Sequence, residues 1–208
     1  MVDMTEFAPT SPDYLPAAGR DYLLPFYDVM TKLMGVGKVH RELVEHADLR
    51  DGHRVPEVGA GTGNLSVLAK RTAPGIALTA TDPDPRALRR ARRKTKDVTF
   101  ERAFIQDLPY EDASFDRVLS SLMLHHLGDD LKATALAEVR RVTAPGGTLT
   151  VADLVGDGHG FAGHKAMSQA SFAEDVPALL LDAGFSAAEE VGRRSSRIGT
   201  IAFWRGER

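Results

Sequence analysis

Val55-Pro56-Glu57-Val58-Gly59-Ala60-Gly61-Thr62-Gly63-Asn64-Leu65 is a short apolar run that meets three alternate glycines and continues into a helical pattern, Leu65 to Arg71. A strand, a glycine turn and a helix in that order let a ligand approach the backbone closely, because the glycines present no Cβ and the helix start presents free N–H groups. The dinucleotide fingerprint needs its third glycine one position later, where Asn64 stands, and this spacing argues against NAD or FAD. No Lys-Ser or Lys-Thr pair follows the loop, which removes the P-loop reading.

Outward from this loop the chain alternates between strand and helix patterns. Val55–Val58, Ile76–Thr81, Val98–Phe104, Phe115–Ser121 and Thr148–Leu154 read as strands, with Leu65–Arg71, Pro85–Lys94 and Leu131–Val142 as helices between them. Such alternation predicts a mostly parallel sheet with helices on both faces. Ser171 and Glu174 form a capping-box pair that predicts a helix to about Ala183, stopped by Gly184. Phe185–Val191 and Ile198–Trp204 then predict a closing antiparallel hairpin. Before the loop, Tyr22–Met34 and Val39–Ala47 read as two helices after a Pro-rich arm, so residues 1–48 form an arm and helical cap and 49–208 the core.

The 208 residues fit a single domain overall, and 43% hydrophobic and 26% charged residues are ordinary globular values. The absence of cysteine excludes disulfides, thiolate metal sites and thiol nucleophiles. A net charge of -3 gives no global attraction to nucleic acid or anionic lipid. No stretch is apolar enough to span a membrane, and Met1-Val2-Asp3-Met4-Thr5-Glu6 lacks the basic and apolar regions of a secretory signal, so the cytoplasm is the expected location.

Glu57-x-Gly59-x-Gly61-Thr62-Gly63 resembles the first motif of the class I S-adenosylmethionine-dependent methyltransferases, in particular their small-molecule, methyltransferase type 11/25-like domains. Leu108-Pro109-Tyr110 with Ser114-Phe115-Asp116, Leu124-His125-His126-Leu127, Glu138-Val139-Arg140-Arg141-Val142 and Pro145-Gly146-Gly147 resemble the family's later segments in order. The resemblance covers about Val39 to Leu154. It implies a Rossmann-like, seven-stranded α/β sheet with an antiparallel last strand, and S-adenosyl-L-methionine as cofactor with S-adenosyl-L-homocysteine as product. It also implies methyl transfer to a small-molecule acceptor by in-line displacement. The loop amides of Gly59, Ala60, Gly61, Thr62, Gly63 and Asn64 would face the cofactor carboxylate, Glu57 its ammonium, and Asp82 its ribose diol. Pro83, Phe104, Ile105, Ser120 and Ser121 complete the expected cofactor site. Phe104 stands where the family commonly has an acid or amide near the adenine, so recognition there is expected to rest on packing, on backbone near Ile105, or on Gln106 or Asp107.

His125 and His126 are the candidate bases, since they follow the fourth strand at the carboxyl edge of the sheet. Tyr14, Tyr22 and Tyr27 in the cap and His159 and His164 in a Gly-rich lid are the candidate substrate residues. No metal site is expected, because two loop histidines do not fix a coordination geometry. Arg86, Arg89, Arg90 and Arg93 share one helical face, read as solvated. Pro56 removes a ladder N–H, so its strand is expected to pair from Glu57 onward or to bulge. Leu124-His125-His126 lacks the Gly-x-Arg-Asn pattern usual in quinone-biosynthesis relatives, and Ser120-Ser121-Leu122-Met123 lacks the signature of base methylation. The acceptor atom stays open, and a monomer or homodimer is expected. The alternatives are a protein that binds S-adenosylmethionine or S-adenosylhomocysteine without methyl transfer, and a nucleic-acid methyltransferase.

Overall fold

A computed structural model describes residues 34–156 and 175–208. Its elements are α1 (Val36–His46), β1 (Arg54–Val58), α2 (Asn64–Thr72), β2 (Ala77–Thr81), α3 (Pro85–Lys94), β3 (Thr99–Glu101), β4 (Phe115–Ser121), a 3-10 turn (Leu124–His126), α4 (Asp129–Val142), β5 (Thr143–Val155), α5 (Val176–Asp182), β6 (Ala187–Ser196) and β7 (Gly199–Glu207). The strands form one sheet in the order β3-β2-β1-β4-β5-β7-β6. All neighbours pair in parallel except β7, which runs antiparallel to both β5 and β6. The order reverses between β1 and β4, and the carboxyl ends of those strands are where open α/β sheets bind ligands.

Each face of the sheet buries its own apolar cluster. Val39 and Leu43 of α1, Leu65 and Ala69 of α2, and Leu88 and Ala91 of α3 cover one face. Leu136, Val139 and Val142 of α4 with Val176 and Leu180 of α5 cover the other. Along β7 the alternation is visible residue by residue: Ile201 and Phe203 enter the first cluster, Ala202 and Trp204 the second.

Pro56 lies in an unbulged β1 that pairs with β2 from Arg54 to Val58 but with β4 only from Glu57. The Arg54 N–H is directed to the Asp116 carboxylate on the β4 side at 2.8 Å. Residues two apart in a strand direct their N–H groups the same way, so Pro56 lacks its donor where no ladder bond is formed.

Several boundaries differ from the sequence reading. The α5 helix begins at Val176 with Asp175 as its cap, the carboxylate accepting from the Ala178 N–H, so the cap is Asp175 and not Ser171. Helix α1 starts at Val36, capped by a left-handed Gly35, and takes Gly37 into its first turn. Strand β3 stops at Glu101, because Phe104 and Asp107 close a separate small turn. The expected helix before Gly35, Tyr14, Tyr22, Tyr27, His159, His164, Ser171 and Glu174 lie outside the described residues.

Candidate functional site

The three glycines after β1 all adopt left-handed φ, at 76°, 53° and 77°. They are not equivalent. A Cβ on Gly63 would stand 2.8 Å from Ala91 Cβ and 3.1 Å from the Phe100 ring, so this glycine lets the start of α2 pack on α3 and β3. A Cβ on Gly61 would meet nothing within 4 Å, because that position faces open space. This space is a cleft lined on one side by Glu57, Gly59, Ala60, Gly61, Thr62, Asn64, Thr81, Asp82 and Pro83.

Asp82 follows β2 at the cleft and is buried. Its carboxylate accepts from the Gly61 N–H at 2.7 Å and from the Asp84 N–H at 2.8 Å. An ionised carboxylate has about four acceptor positions, so capacity remains for the two hydroxyls of a diol. Burial raises its pKa to about 6, against the pull of those two N–H groups. Glu57 is buried beneath the loop, with the Ser66 hydroxyl donating to it. Burial raises its pKa to about 8 against the pull of Ser66, and a cation arriving at the cleft would favour its charged form further. A glycine wall without side chains, an acid with spare acceptor positions and a buried acid awaiting a cation are the parts that an amino-acid-bearing nucleoside requires.

The loop is also held from outside. Lys94 of α3 donates to Asn64 Oδ1 at 2.7 Å and to Thr62 Oγ1 at 3.1 Å. Of the basic face, Arg86, Arg89 and Arg93 are exposed as the solvated reading expects and Arg90 is half-buried, while Ala87, Leu88 and Ala91 are buried. Phe104, Ile105 and Gln106 line the cleft, whereas Asp107 does not border it. Of the serines that end β4, Ser121 borders the cleft and Ser120 does not, and both hydroxyls are buried without a hydrogen-bond partner among the described residues.

The two adjacent histidines part company. His125 is buried with Nδ1 2.5 Å from Asp153 Oδ1, and its N–H donates to Asp153 Oδ2 at 3.2 Å. Burial alone would raise the Asp153 pKa, but attraction to His125 and the N–H groups of His125 and Leu154 hold it below the ordinary carboxylate value. His126 turns to the cleft, its ring 4.0 Å from that of His125, and burial lowers its pKa to about 4. So His126 lines the cleft, and His125 anchors the turn to β5.

Two features escaped sequence reasoning. His40 of α1 lines the same cleft, with its pKa lowered to about 4 by burial. Leu122, just after β4, holds a left-handed φ of 55° and also lines the cleft. Strain of this kind costs of order 1–3 kcal/mol and clusters at functional sites.

Residues 56–151 match the family model described as a methyltransferase domain. A ubiquinone/menaquinone biosynthesis C-methyltransferase of Bdellovibrio bacteriovorus is 36% identical over 132 residues, which are 60% of this chain and 55% of that protein. A demethylmenaquinone methyltransferase of Thermus thermophilus is 34% identical over 136 residues, 62% of this chain and 61% of that protein. The chain therefore spans between about half and three-fifths of the length of these two relatives. Both bear quinone-biosynthesis names, although the sequence pattern around Leu124 had pointed away from that group. Among solved structures, a chain of the complex between the Haloferax volcanii Trm112 methyltransferase activator and a putative methyltransferase superposes with a TM-score of 0.70 at 21% identity, covering 90% of this chain and 98% of that one.

Proposed function

We propose, from the premise that this chain carries a methyltransferase domain of the class I S-adenosylmethionine-dependent type, that it transfers a methyl group to a small-molecule acceptor by in-line displacement within the cleft. The observation that carries this reading is Asp82, a buried carboxylate at the carboxyl end of β2 with the Gly61 amide on one oxygen and acceptor capacity to spare. Asp82 would hold a ribose diol, Glu57 an ammonium, and the amides of the Gly59–Asn64 loop a carboxylate. S-adenosylmethionine, when bound, supplies an electrophilic methyl on a sulfonium. The protein's own part is alignment, worth about 7–11 kcal/mol in well-oriented reactions, together with the exclusion of water.

In this reading helix α1 forms part of the cleft wall, through Val36 and His40. The acting unit is taken as a monomer or homodimer in the cytoplasm. Among the described residues no helix is long and apolar enough to cross a membrane. The quinone names of the relatives support a small organic acceptor over a nucleic acid, as does the absence of Lys and Arg from the cleft lining among the described residues.

The test is calorimetric titration of the full chain with S-adenosylhomocysteine. Charge-assisted hydrogen bonds contribute about 1.5–3 kcal/mol each, so Asp82→Ala is expected to weaken binding at least tenfold. Unchanged affinity would remove Asp82 from the site. Turnover of methyl-labelled S-adenosylmethionine with an acceptor panel separates an enzyme from a protein that only binds the cofactor.

A further inference from the structure

The cleft has a second half that the cofactor residues do not account for. Val36 and His40 reach it from α1, Leu122, Met123, His126 and Leu127 from the segment between β4 and α4, and Leu131 from the first turn of α4. Five of these seven side chains are apolar. The other two are imidazoles, and neither His40 nor His126 has a side-chain hydrogen bond among the described residues. Among the described residues the carboxylates bordering the cleft are Glu57 and Asp82, which belong to the glycine-loop side. No Lys or Arg borders it among the described residues.

We propose that His40 and His126 form an acceptor subsite that takes a flat apolar ring bearing an uncharged hydroxyl, with the hydroxyl hydrogen-bonded to one or both imidazoles. This rests on the reading of the cleft as a methyltransferase site and goes further by naming the acceptor class and a residue outside the motif-bearing segments. The choice of class follows from which charges the walls can balance. A carboxylate or phosphate acceptor would be desolvated opposite apolar side chains with no cation to meet it, a cost of several kcal/mol. An ammonium acceptor would need a carboxylate, and the two present are engaged on the far side. A neutral imidazole is both donor and acceptor, which suits a hydroxyl. Burial keeps both rings in that neutral form at pH 7. The apolar groups bracket the imidazoles from two separate elements, as expected for a ring held between walls.

His40 is placed to act because Val39 and Leu43 on the same helix are fully buried in the core, which fixes the rotation of α1 and leaves Val36 and His40, one turn apart, on the cleft side. His126 is fixed by the 3-10 turn that His125 ties to Asp153. The two donors thus come from rigid supports on different elements.

The test uses three aromatic probes of nearly equal shape against the full chain saturated with S-adenosylhomocysteine: 1-naphthol, 1-naphthoate and 1-naphthylmethylamine. Calorimetry is expected to show 1-naphthol binding at least tenfold more tightly than the anion or the cation. His40→Leu is expected to weaken 1-naphthol at least fivefold, with His40→Gln restoring part of the loss, while the S-adenosylhomocysteine affinity of both variants stays within twofold of the parent. Equal or tighter binding of either charged probe, no binding of 1-naphthol, or a His40→Leu variant that keeps its affinity would each overturn the proposal. Loss of S-adenosylhomocysteine binding in His40→Leu would also overturn it, by assigning His40 to the cofactor or to the fold. If the parent chain itself fails to bind S-adenosylhomocysteine, the underlying methyltransferase reading falls, and this subsite with it.

Discussion

Replacing Glu57 by Gln isolates a buried ionisation that opposes folding. In the folded chain burial raises the Glu57 pKa from 4.5 to about 8. At 1.36 kcal/mol per unit this corresponds to about 5 kcal/mol, and relaxation around the charge reduces it to roughly 2–5 kcal/mol. The sign follows from proton counts. Between pH 4.5 and 8 the folded state keeps a proton that the unfolded state has released, so stability is greatest below pH 4.5 and declines as pH rises toward 8. Gln has the shape of the protonated acid and still offers a carbonyl to the Ser66 hydroxyl but carries no titration. Urea unfolding at pH 5 and pH 8 should therefore show Glu57→Gln close to the parent at the lower pH and more stable than it by about 2–5 kcal/mol at the higher. Parallel pH dependence in the two proteins would refute the buried-acid account. The same variant should bind S-adenosylhomocysteine more weakly at pH 8, because the carboxylate proposed to meet the ammonium is gone, so stability and affinity move in opposite directions.

Gly63→Ala should cost about 2–5 kcal/mol in urea unfolding, from a left-handed φ of 77° and a Cβ only 2.8 Å from Ala91 Cβ; a loss below about 0.5 kcal/mol would show that the loop and α3 are not packed as described. Asp153→Ala removes the acceptor of the His125 ring, the His125 N–H and the Leu154 N–H at once. A loss of about 3–5 kcal/mol is expected at pH 7. Because the Asp153 pKa is held low in the fold, its contribution is present above the ordinary carboxylate pKa and fades as pH falls through the depressed one, so the gap between parent and variant should narrow under acid. A gap constant down to pH 3 would contradict an ionised Asp153.

Much of the fold was legible because it depends on local pattern. The alternation of apolar runs with amphipathic ones gave the sheet, and the glycine spacing gave the ligand side of β1, since both are properties of adjacent residues. What failed depended on partners distant in sequence. β5 reaches back to Thr143 because Phe115 pairs with Thr143 across a register shift. β6 reaches on to Ser196 because β7 extends to meet it. Neither partner is visible in the strand's own composition. The α5 cap was misread for a related reason: Ser171 and Glu174 have capping-box spacing, yet Asp175 is the residue whose side chain caps the helix.

Within the site, chemistry tied to the motif was legible and chemistry set by packing was not. The loop was found from its glycine spacing, Glu57 and Asp82 from the resemblance that the motif carries, and all three border the same cleft. His40 carried no signal, because a histidine on an amphipathic helix looks the same whether it faces core, solvent or ligand; only the burial of Val39 and Leu43 settles its direction. The His125–His126 pair shows the converse. Either of two identical side chains adjacent in sequence was a candidate base, and a 3-10 turn separates consecutive residues by about 120° around its axis, so the two histidines cannot face the same way. One must enter the fold if the other faces the cleft. Asp153 accounts for which does so: a buried carboxylate needs donors, His125 supplies both a ring nitrogen and a backbone N–H, and satisfying that acid turns His126 outward. The orientation of the cleft-facing imidazole is thus set by a residue 27 positions later that does not border the cleft, and substitution at Asp153 should disturb acceptor binding through His126 as well as stability.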